Sequence, residues 1–154
     1  MTSNVRTVAT ARPAKAVLGL ALVAMLLTGC FGSNAQTFTM RTNQLRASLG
    51  VSAVASHPTL DSKAQSWAQH LASRGTLVHS DLSSGLESVN WTTIGENLAS
   101  GSETGDWSLR LHNALVASPT HYNNLVDRRF THMGVGIASA GGKVYVVEVF
   151  AEIR

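Results

Sequence analysis

Cysteine is almost missing from this chain of 154 residues: Cys30 is the only one. That excludes an intrachain disulfide and any metal site built from several thiolates. Charge is scarce too, at 14% against 44% apolar residues, so the chain is not a charge-rich disordered segment and can bury one core. There is no surplus of basic residues in the body of the chain. Arg6, Arg12 and Lys15 all lie in the first fifteen positions, and setting them aside leaves nine basic against nine acidic residues. A nucleic-acid-binding surface needs excess Lys and Arg to neutralise phosphates, so nucleic acid is excluded as a partner. No Gly-x-Ser-x-Gly elbow, His-Glu-x-x-His pair or phosphate-binding loop occurs, and Gly134-x-Gly136 sits inside an alternating strand pattern rather than between strand and helix.

What the N-terminus does have is an address. The three basic residues precede the apolar run Ala16 to Leu27, which is shorter than the roughly 20 residues a membrane-spanning helix needs. Leu27-Thr28-Gly29-Cys30 follows directly and resembles a bacterial lipoprotein lipobox, with cleavage before the cysteine and lipidation on it. On this reading residues 1–29 are a lipoprotein signal peptide, exported without a twin-arginine pair, and 30–37 form a lipidated tether of polar residues. Residues 38–154 are then a domain outside the cytoplasm, attached to the cell membrane through acyl chains such as palmitate on Cys30.

In the mature chain, Phe38, Leu45 and Leu49 fall on one helical face that Gly50 ends. Thr59 can cap a second helix with Leu60, Ala64, Trp67, Ala68, Leu71 and Ala72 at core spacing up to Gly75. The stretch 76–90 has no period, and Trp91 to Ile94 reads as a short strand. Asp106 caps a third helix with the apolar face Trp107, Leu111, Ala114 and Leu115, and Ser118-Pro119 starts a short fourth one over 119–126. Alternation of Met133, Val135 and Ile137, then Gly141-Gly142, then Val144, Val146, Glu148 and Phe150, predicts a terminal β-hairpin. Helices followed by an antiparallel hairpin make an α+β domain.

Six histidines remain to be weighed. His57, His70, His112 and His132 sit at helix edges or a strand start and read as surface or structural residues. His79 and His121 lie where the chain breaks between elements, and Glu96 in Gly95-Glu96-Asn97-Leu98-Ala99 is placed in the same way. Such breaks let distant side chains converge.

Asn43-x-x-Arg46, Leu60-x-x-x-Ala64, His79-Ser80, the Gly95 to Ala99 block, Ser118-Pro119-x-His121 with Asn124, Gly134-Val135-Gly136 and the strand Tyr145 to Phe150 occur in that order. Together they make residues 38–152 resemble the CAP superfamily of cysteine-rich secretory proteins, antigen 5 and plant PR-1, in its bacterial secreted branch. The resemblance implies an α-β-α sandwich and a cavity lined by two histidines and two glutamates, which in some members holds a divalent metal such as zinc. Carried over by motif, these are His79, His121 and Glu96, with Ser80, Asn97 and Asn124 beside them. The second glutamate is missing, because Trp107 to Ala117 contains no acid, unless Glu148 turns toward the cavity. A hydrolytic zinc site needs about three protein ligands, an open position and usually a separate base, and three groups do not fill those roles. Three readings stay open: a non-catalytic module that binds a ligand or partner, with lipid or another apolar molecule the implied candidate; a metal-dependent hydrolase of peptides or cell-wall material with His79 and His121 as ligands; and a structural envelope protein in which the three side chains hydrogen-bond one another.

Overall fold

The computed structural model of the protein describes residues 34–154. The signal segment, Cys30 and the start of the tether lie outside the described residues. The elements run α1 (34–48), β1 (Ala55–Ser56), α2 (Pro58–Arg74), β2 (Trp91–Ser102), α3 (Trp107–Ala117), α4 (Pro119–Val126), β3 (His132–Ala140) and β4 (Lys143–Ile153). No helix among them is long and apolar enough to cross a membrane. The strands form one mixed sheet in the order β1-β3-β4-β2, with β1 parallel to β3 and the other pairs antiparallel.

Alternation along β4 divides the core. Val144, Val146 and Phe150 join Phe38, Leu111, Leu115 and Leu125 from α1, α3 and α4 on one face of the sheet. Tyr145, Val147, Val149 and Ala151 meet Leu60, Ala64, Ala68 and Leu71 of α2 on the other. The result is the α-β-α sandwich, with one helix on one side and three on the other.

Several local expectations are corrected. Residues 34–37 are helical rather than tether, because Asn34-Ala35-Gln36-Thr37 holds no helix breaker and Ala35 packs against the core. The buried row of α1 is Phe38, Thr42 and Arg46, not Phe38, Leu45 and Leu49: Leu45 is only half-buried and Leu49 is exposed. His57, not Thr59, caps α2, its Nδ1 accepting from Thr59 N–H at 3.3 Å, with Pro58 in the first turn and Gly75 at φ +67° ending the helix. In α3 the buried partner of Leu111 and Leu115 is His112 rather than Ala114, which is exposed. His112 packs edge-on against Phe38, with ring centroids 6.2 Å apart. The strand beginning at Trp91 continues past Ile94 to Ser102, since each residue from Thr93 onward pairs with β4.

Two features clamp the layers. Arg46 is fully buried and donates to four backbone carbonyls: Ser52 from Nε, Leu125 and Asp127 from Nη1, and Phe130 from Nη2. Burial lowers its pKa, with the charge of Asp127 acting the other way, and the guanidinium still spreads its donors over two loops. On the opposite face, Asp61 Oδ1 accepts from Val135 N–H at 3.0 Å, and Gln65 bonds both the N–H and the C=O of Ile137 at 3.0 and 2.9 Å. β1 pairs only with His132 and Met133, so these side chains complete what that short strand leaves open. Gln65→Ala is expected to cost about 1–2 kcal/mol for the two lost bonds, read as a lower urea midpoint with an unchanged slope. An unchanged midpoint would show that the clamp adds nothing.

Candidate functional site

Glu96 lies in the middle of β2, paired with Val149, and not at a break between elements. Its side chain is only 1% exposed. A buried carboxylate must find donors, and it finds three. Oε1 accepts from Ser80 N–H at 3.0 Å and lies 2.7 Å from His79 Nδ1, while Oε2 accepts from Ser80 Oγ at 2.7 Å. An ionised carboxylate only accepts, so its contact with Nδ1 places the His79 proton there and leaves Nε2 facing outward on a ring that is 61% exposed. The irregular segment 76–90 is thereby tied to the sheet.

A second chain of hydrogen bonds starts at the next residue. Asn97 is fully buried, and its Nδ2 donates to His121 O at 3.1 Å and to Glu148 Oε2 at 3.2 Å. Asn124 Nδ2 donates to Asn97 Oδ1 at 3.0 Å and to Glu96 O at 3.3 Å. Helix α4 is thus fastened over β2, and His121, in its first turn, is brought near His79. Burial lowers the pKa of His121, and the neighbouring His79 lowers it further, so the neutral imidazole is favoured. The His121 side chain forms no hydrogen bond with a described residue.

Glu148 points inward, as alternation in β4 requires, and is fully buried. Burial pushes its pKa up to about 7 against the opposing Asn97 bond. Its Oε1 has no hydrogen-bond partner among the described residues. It joins the cluster through Asn97, and no group of three His, Cys, Asp or Glu side chains poised to hold a metal ion occurs among the described residues. The donor set does not fit a resident divalent metal. Glu96 is buried beneath His79 and Ser80 and accepts three hydrogen bonds from them, so the donors that face outward are two imidazoles, where zinc takes three or four protein ligands.

A groove of about 480 Å³ runs beside this cluster, between α2 and the segment 80–85. Trp67 and His70 stack in it with ring centroids 4.5 Å apart, and Ser62, Ser66 and Ser80 line it with hydroxyls. Lys63 Nζ holds it open by donating to Asp81 O and Ser84 O at 2.7 and 2.8 Å. The groove and the histidine pair are separate places that meet at Ser80.

Residues 40–150 match the model of CAP, the cysteine-rich secretory protein family. The chain belongs to the CAP family. In structure it is similar to an outer surface protein of Borrelia burgdorferi, with a TM-score of 0.67 and 21% identity over 77% of this chain and 92% of that one. It is also similar to an extracellular SCP-domain protein of Bacillus anthracis, with a TM-score of 0.65, 22% identity and coverage of 80% and 41%. A cysteine-rich secretory protein of Staphylococcus aureus gives 0.63, 20%, 79% and 38%. The chain spans less than half the length of these last two proteins. No curated protein matches it in sequence.

Of the residues the CAP resemblance singles out, His79, Ser80 and Glu96 meet directly. Asn97, Asn124 and Glu148 form the adjoining chain, with His121 carried on its backbone. Sequence reasoning gave no role to Arg46 or Gln65. For Arg46 the available signal was its place eight residues after Phe38 on the buried row of α1, whereas Gln65 lies outside the core row of α2, four residues after Asp61.

Proposed function

We propose that the mature protein is a lipid-anchored, extracytoplasmic CAP module that binds a ligand or partner without catalysing a reaction. The observation that supports the non-catalytic part is the burial of Glu96 beneath His79 and Ser80. A general base must come within hydrogen-bond reach of a substrate proton, whereas this carboxylate is 1% exposed and lies behind the His79 and Ser80 groups that it holds in place. The groups left facing outward are His79 Nε2, the His121 ring and the hydroxyl-lined groove. They suit a ligand with hydrogen-bonding atoms better than an apolar one. The lipobox at Cys30, together with similar folds in an outer surface protein and an extracellular protein, supports placement outside the cytoplasm.

Zinc calorimetry on the mature chain carrying Cys30→Ser, beside His79→Ala and His121→Ala, tests the site. Weak binding is expected, together with no turnover of peptides or cell-wall fragments. Tight stoichiometric binding lost in both histidine variants, with hydrolysis abolished by Glu96→Ala, would establish a metallohydrolase instead. Cys30→Ser in the full chain is expected to release the protein from membranes, and continued membrane association would refute the anchor.

A further inference from the structure

We infer that the anchored domain stands on the bilayer through one defined end of its sheet, formed by the β3–β4 turn, the 103–106 loop and the first turn of α3. The inference rests on the lipid anchor proposed above. Three residues separate Cys30 from residue 34, where α1 is already helical, and the four Cα–Cα steps span at most about 14 Å. The N-terminal end of α1 is therefore held close to the lipidated residue, and its position in the fold decides which surface meets the headgroups.

That position follows from the contacts of α1. Phe38 packs against Trp107 at 6.5 Å, and Arg41 bonds Ser108 Oγ at 2.5 Å and pairs with Asp106 at 3.9 Å. At its other end Arg46 reaches the carbonyls of Asp127 and Phe130, just ahead of β3. The helix therefore runs from the start of α3 toward the start of β3. The start of α3 is itself fixed to the far end of the sheet. Arg110 donates to Ser102 O and Thr104 O at 2.7 and 3.0 Å, Glu103 N–H to Gly142 O at 2.9 Å, and Ser139 Oγ to Glu103 Oε1 at 2.8 Å. Residue 34 lies beyond Phe38 on this side, so a tether of three residues brings the turn 140–143 and the 103–106 loop against the membrane.

That end carries cations that can meet phosphate headgroups. Arg110 and Lys143 are exposed, and neither forms an ion pair with a described residue. Two exposed carboxylates share that end, Asp106 as the cap of α3 and Glu103 bonded by the Ser139 hydroxyl, so its charges are mixed in sign. Leu109 is 42% exposed in the same turn of α3 and Trp107 is half-buried, so apolar surface accompanies the two cations. Glu96 lies six residues back along β2 from Ser102, about 20 Å, which sets the histidine pair clear of the lipid and open to the aqueous side.

The test uses the full lipidated protein in vesicles of phosphatidylglycerol and phosphatidylethanolamine that contain a lipid with a nitroxide on its headgroup. Lipidation consumes the Cys30 thiol, so a fluorophore can be placed on Lys143→Cys or, at the opposite end of β4, on Arg154→Cys. Strong quenching at 143 and none at 154 is expected. Equal quenching at both, or more at 154, in protein that floats with the vesicles would overturn this orientation while leaving the anchor intact. Protein that does not float with the vesicles would remove the anchor and the orientation with it.

Discussion

Gly136→Ala is expected to destabilise the domain by at least about 3 kcal/mol, lowering Tm by roughly 10 °C or more. A Cβ at this position would lie 2.1 Å from the carbonyl carbon of Ala64 and 2.2 Å from Ala64 O and Gln65 N. At Gly134 the corresponding distances are 2.1 Å to Leu60 C and 2.3 Å to Asp61 N. These are helix backbone atoms, which cannot rotate aside as the tip of a flexible side chain would. To admit one methyl group, α2 must lift from β3, and the Asp61 and Gln65 bonds to Val135 and Ile137 stretch with it. The cost is therefore shared over the packing of Leu60, Ala64, Ala68 and Leu71 against the sheet. Thermal denaturation followed by circular dichroism reads it directly, and a melt within about 2 °C of the parent would show that the contact is not close.

Glu148→Gln is expected to remove a pH dependence of stability. The buried carboxyl has its pKa raised from 4.5 to about 7, so between those values the folded chain binds a proton that the unfolded chain has released. The stability contributed by that proton is fully present below about pH 4.5 and falls as pH rises, until it is gone above about pH 7. The full swing is on the order of 3 kcal/mol. His112, His121 and His132 act in the opposite direction, because burial, with neighbouring positive charge, lowers their pKa values and favours folding as pH rises. The parent curve alone mixes the two trends. The difference between parent and Glu148→Gln isolates the carboxyl, since an amide oxygen can still accept from Asn97 Nδ2 and carries no charge. Urea midpoints at pH 5 and pH 8 should separate, with the variant gaining on the parent at the higher pH. Parallel curves would mean that Glu148 ionises as readily in the fold as in the unfolded chain.

Helix α2 and the terminal hairpin were legible because each announces itself in periodicity. The 3.6-residue rows of α2 and the alternation of β3 and β4 left no other faces to bury, and the Gly141-Gly142 turn takes positive φ at both residues. The meeting of His79 with Glu96 came from motif resemblance, because nothing local says that a strand residue and a loop residue 17 positions earlier share a proton. What was hidden obeys no local rule. Residues 34–37 look polar enough for a linker, and His112 looks like a surface residue until Phe38 is placed against it. The extent of β2 was hidden because its glycines and polar residues carry little strand propensity, and its length comes from continuous pairing with β4. Arg46 stands in the sequence only as part of the Asn43-x-x-Arg46 motif, and only the loops that fold over it supply the carbonyls that let it stay inside.

On the lipid anchor proposed above, copies of the domain would meet one another at high local density, confined to two dimensions. A bare β-ribbon border under those conditions would recruit neighbours into a growing polymer. The carboxylate of Asp61 and the carboxamide of Gln65 close that border on β3 from within the same chain. A second copy therefore finds no free N–H at Val135 or Ile137 on which to add a strand.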